Sequence, residues 1–459
     1  MAALEQLLPA GNAALTKVMR AAKRGGQDGL IDLPEARSRP QQTHTALPDW
    51  SPAQLGVIQK HLKRMGLYQL GVDRKFGPGT EFALVEAFGD NEWRYQPVAT
   101  TIAALATGRT AEKRRDGKPA DRTLAYGHLL GDGVLTLSVA IERTLGAEGE
   151  LAEQSIHIAL AARGFKLDPA DGAVLMQLGG RQGADAGAGE LFVRRNALTY
   201  TPRVGEPRQV HAVVRLIRGN DSRIRSEDQA GTFARDMTQT DVAMYAGSDR
   251  GGTGPGLGSA FQGLRVGNKD VYGTKEFETA LAEQGKPHGR DGWEQFLWLQ
   301  EHSPGYLKVT AYHDRGLYLN TVEPAGADFA TRLLYWTIKR DRVDARTGEH
   351  GTLAAAGQAQ QHEHPFRVLL FDGVTNQEFL GKLRATPGFG GRQVAMYANQ
   401  QATAWQDRAW QLINFLDGII AQQSPKEIMH KMDGRKSNTF VGTAAPSHPN
   451  DDQHGKIDI

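Results

Sequence analysis

Few side chains in this 459-residue chain are placed to do covalent chemistry, and their spacing narrows the choice further. Cysteine is absent, which excludes disulfides, thiolate metal sites and a cysteine nucleophile. Ser248 and Asp249 lie in the string Gly-Ser-Asp-Arg-Gly, which lacks the Gly-x-Ser-x-Gly spacing of a nucleophile elbow, so a hydrogen-bonding turn is expected there. Asp372 ends an apolar run. It would serve as a general acid or base if buried beside another charge, and otherwise caps a helix starting after Thr375; the cap is the expected role. The Gly-rich run from Arg250 to Gly258 offers backbone N–H groups to an anion, but no Gly-Lys-Ser/Thr follows, so it reads as a loop. His362 and His364 flank Glu363, giving two imidazoles but no third ligand nearby. No cofactor and no metal is expected from these residues.

The elements that would carry these residues follow from hydrophobic period. Strands are expected over 135–141, 190–195, 198–201, 210–217, 241–247, 306–312, 367–373 and 393–398, and helices over 151–163, 226–237, 329–338, 377–384, 405–421 and 425–432. Strands alternating with helices imply parallel pairing, so residues 123–433 are expected to form a doubly wound α/β domain with a mostly parallel sheet. Residues 1–49 read as a short helix and a linker, 94–122 as a second linker whose last part holds six basic and three acidic residues, and 434–459 as a disordered polar tail. A net charge of +2 does not argue for nucleic acid as a partner, and no apolar run reaches the length of a membrane span. No basic region precedes an apolar run at the N-terminus, so synthesis in the cytoplasm without classical export is expected, with release or delivery by another route.

Residues 50–93 form the most specific segment. Leu55, Ile58, Leu62 and Met65 make one apolar helical face, Gly66 ends that helix, the Asp73 carboxylate is placed to accept loop N–H groups, and Pro78 opens a second helix carrying Phe82, Val85 and Phe88. This small all-α module resembles the peptidoglycan-binding-like domain attached to cell-wall hydrolases, through Leu62, Met65-Gly66-Leu67-Tyr68, Val72-Asp73, Phe76-Gly77-Pro78, Thr80-Glu81 and Ala83. The resemblance implies a shallow groove for muropeptide or glycan, with Tyr68 and Arg74 as its exposed candidates. Most of the matching residues are structural, so a packing or docking unit is the competing expectation.

The larger domain resembles the caspase-like cysteine peptidase fold through strand order and two turns, the first from Tyr245 to Pro255 and the second from Leu370 to Asn376. In that family the first turn carries a His and the second the nucleophilic Cys. Here the two positions read Ser248 and Val374, and valine offers neither lone pair nor proton, so the resemblance implies a pseudoenzyme with Asp249 and Asp372 left at the pocket. Their separation implies an insertion near 256–305. Three functions stay open on this reading. The first is a non-catalytic binding or scaffold protein that uses peptidoglycan or a protein as partner. The second is an active cell-wall hydrolase with unidentified residues, and the third is an effector or component of a bacterial secretion or contractile injection apparatus.

Overall fold

A computed structural model describes residues 50–68, 70–89, 92–110, 124–142, 147–179, 188–219, 226–247, 264–266, 269–271, 292–302, 310–311, 366–372, 394–399, 405–433 and 440–443, with single residues at 255, 257, 279, 332, 380, 383 and 389. The first helix, α1 (Pro52–Arg64), starts at a reciprocal cap: Ser51 Oγ accepts from the Gln54 N–H and Gln54 Oε1 accepts from the Ser51 N–H, with proline in the first turn. Gly66, at φ 77°, ends it in the left-handed conformation, as its position in the sequence requires. Helix α2 (Pro78–Phe88) follows Gly77, and a short 3₁₀ turn covers Glu92–Tyr95. The first part of the expected linker is structured instead. Residues Val98–Thr107 form α3, because Thr101 and Leu105 are buried in the small core that also takes Ile58 and Leu62 of α1.

The remaining elements run α4 (Tyr126–Leu130), β1 (Val134–Ile141), α5 (Ala147–Ala162), β2 (Phe165–Leu167), α6 (Pro169–Gly179), β3 (Glu190–Arg194), β4 (Leu198–Tyr200), β5 (Arg208–Arg218), α7 (Ser226–Gln239) and β6 (Val242–Ala246). An excursion then carries β7 (Leu264–Val266), β8 (Lys269–Val271), α8 (Gly292–His302) and β9 (Thr310–Ala311), before β10 (Arg367–Asp372), β11 (Val394–Asn399), α9 (Trp405–Ile420), α10 (Pro425–Asp433) and β12 (Phe440–Thr443). The main sheet has the order β12-β11-β10-β6-β1-β5-β3-β2, with β4 pairing β5. Its five central strands are parallel, and antiparallel strands finish both sides.

Two expectations are corrected here. Of the strand expected over 306–312, the described pair Thr310–Ala311 (β9) belongs to a separate antiparallel sheet of order β8-β7-β9. The expected disordered tail contains β12, an apolar Phe-Val-Gly-Thr run that pairs with the otherwise open edge of β11. The helices expected over 329–338 and 377–384 lie mostly outside the described residues, as do 1–49 and His362–His364.

Residue parity divides the sheet. Leu135, Leu137, Val139 and Ile141 of β1 face the layer of α5, α9 and α10, whereas Ala140 packs with Phe233, Ala234 and Met237 of α7. Helix α6 covers the same side as α7 through Leu175 and Met176 against Val134 and Val213. Helices on both faces of a parallel sheet make a doubly wound α/β fold.

The helical segment is fused to this fold rather than tethered beside it. Phe82 of α2 stacks on His128 at 4.1 Å between ring centroids and meets Phe366 edge-on at 6.2 Å. The Val204 N–H donates to the Ala87 carbonyl, and Arg208 Nη1 donates to the carbonyls of Gly89 and Gly131. Close approach depends on two glycines of α4 and its cap. A methyl group at Gly131 would sit 1.7 Å from the Gly89 carbonyl oxygen, and one at Gly127 would sit 2.8 Å from the Glu86 Cα. Gly131→Ala is therefore expected to cost about 1–3 kcal/mol through forced separation of α2 and α4. Urea denaturation checks this, and an unchanged midpoint would count against the close packing.

Candidate functional site

In open α/β sheets the residues beyond the carboxyl ends of parallel strands, near the point where strand order reverses, are the ones free to meet a ligand. Strand β1 is that point here, with β5 on one side and β6 followed by β10 and β11 on the other. The edge is tightly tied. Glu142 N–H donates to the Ala246 carbonyl at 2.9 Å, Gly247 N–H to the Asp372 carbonyl at 2.9 Å, and Gly219 N–H to the Ile141 carbonyl at 2.7 Å. Ladder pairing thus continues to the last residue of each strand, and the chain leaves the sheet at one level.

Glu142 and Asp372 are both buried at this edge, but on opposite faces. Asp372 follows the parity of Val368 and Leu370, which face α5 and α9. Glu142 follows Ala140 on the α7 face, and a Cβ built at Gly247 would fall 2.5 Å from the Glu142 Cβ and 2.2 Å from the Tyr245 hydroxyl. The two acids are therefore not a facing pair of the kind that shares a proton. Asp372 is the last residue of β10, fully buried. Ser248, Asp249 and Val374 lie outside the described residues. Their neighbours do not: β6 and β10 are adjacent, parallel and in register at Ala246 and Asp372, so the two turns start side by side.

Beneath the α7 side of the edge runs a buried polar layer that sequence reading missed. The Ser138 hydroxyl donates to Asp236 Oδ2 at 2.7 Å, and Arg215 Nε lies 3.2 Å from the same oxygen, an ion pair without the alignment of a hydrogen bond. Burial raises the Asp236 pKa, opposed by the Arg215 charge and the Ser138 bond. Asp241 Oδ2 accepts from the Thr136 N–H and hydroxyl, both at 2.8 Å, and so completes the ladder where β6 begins. Strand alternation marks these positions as inward-facing, but nothing local says that polar side chains there find partners 98 or 105 residues away.

In the helical segment the expected groove residues separate. Tyr68, expected to be exposed, is only 2% exposed, and its hydroxyl accepts from Gln59 Nε2 at 3.1 Å. The reason is Gln59, a fully buried amide that organises the whole loop. Its Nε2 also lies 2.7 Å from Asp73 Oδ1 and 2.9 Å from the Lys75 carbonyl, while its Oε1 accepts from the Arg74 N–H. Asp73 accepts from the Lys75 N–H as its position suggested. Arg74 is exposed at φ 59°, with its Cγ 3.3 Å from where a Cβ at Gly56 would stand.

At the joint between this segment and the sheet, Glu86 Oε2 accepts from the Gly127 N–H at 2.8 Å. Loss of water pushes its pKa up to about 8, against the opposing pull of the Gly127 and His128 N–H groups and the Arg203 charge. Among the described residues no group of three acids or histidines is placed to hold a metal, and no helix is long and apolar enough to cross a membrane.

Comparison with known protein families, with curated proteins and with solved structures found no match. The class that the fold defines is a doubly wound α/β protein with a fused helical segment.

Proposed function

We propose that the chain is a non-catalytic binding or scaffold protein, with a peptidoglycan-binding-like helical module and a caspase-like α/β domain that has lost its dyad. The observation carrying this reading is the pairing of β6 with β10. Their shared register ends the two strands side by side at Ala246 and Asp372, and Ser248 and Val374 each follow two residues later in the sequence, which supports the likeness to a caspase-like peptidase with its two catalytic residues after neighbouring strands. On this reading valine stands in the nucleophile position, and with no cysteine in the sequence the chain lacks the means to form a thioester. The wall-binding part of the reading is supported by the helix–loop–helix and its Gln59-centred loop, which presents Arg74 to solvent.

Retention of the purified full chain on insoluble peptidoglycan sacculi tests the proposal. Deleting 50–93 would strip Phe82 and Glu86 from the main fold, so a surface variant is the sound comparison. Full-chain retention is expected to fall about tenfold in Arg74→Glu, with no peptide-bond hydrolysis by either protein. Hydrolysis abolished by Asp372→Asn, or retention indifferent to Arg74, would reject it.

A further inference from the structure

We draw no further inference here: the strongest candidate, the outer edge of β2, where the N–H and C=O groups of Phe165 and Leu167 point away from β3 beside the exposed Leu167 side chain, carries nothing because nothing among the described residues shows what covers it.

Discussion

Replacing Asp236 by alanine is expected to destabilise the chain by about 3–5 kcal/mol, among the largest effects of any single substitution in the α/β domain. The carboxylate is buried at the interface of α7 and the sheet, bonded to Ser138 at 2.7 Å and 3.2 Å from the Arg215 guanidinium. Removing it leaves a cation that is only 2% exposed without its counter-charge, in a medium where water cannot compensate. Urea denaturation gives the magnitude, and the double variant Asp236→Leu with Arg215→Met separates the causes. Recovery of most of the lost stability in the double variant identifies the uncompensated arginine as the source. Equal loss in the two would point to helix packing instead.

Glu86 sets the second large expectation, and its sign is opposite to that of a salt-bridged carboxylate. Its pKa in the folded chain is about 8, against an ordinary value of 4.5, so the folded state holds a proton that the unfolded state releases. The stabilisation is complete below the unfolded value and is lost as pH rises towards the folded one, at up to about 1.4 kcal/mol for each pH unit between them. The groups facing it are Tyr126 and the His128 N–H on α4, Tyr200 on β4 and Arg203 beyond it, each held by the packing of α2 against the sheet domain. Glu86→Gln keeps an acceptor for the Gly127 N–H and cannot ionise. Unfolding midpoints measured at pH 5.5 and 8.5 are expected to fall steeply in the parent and much less in the variant. The same slope in both would mean that Glu86 remains ionised and hydrated. Loosening of the helical segment in alkali is the expected consequence, since the ionised carboxylate loses water where α2 packs against α4.

Much of the architecture was present in local pattern. The β-branched run of β5, the strand-then-glycine endings of β6 and β10, and the paired signals of Gly66 and Pro78 each follow from period, cap or backbone freedom within a few residues, and each element formed where that pattern placed it. Short elements escaped because their signals are weak alone: β12 exists by pairing with the β11 edge, and α3 by burying Leu105 against α1.

What tertiary structure alone decided is which polar side chains meet. Tyr68 is expected at the surface as a groove residue implied by the family resemblance, yet Gln59 draws its hydroxyl inward. Glu142 and Asp372 share a sheet edge but not a face, a distinction set by strand register rather than by residue type. The Ser138–Asp236–Arg215 layer arises where a helix crosses a sheet, between residues far apart in the chain. Composition and periodicity determine which face of each element turns inward; the partner it finds there depends on crossing geometry and register, which are long-range quantities with no local signature.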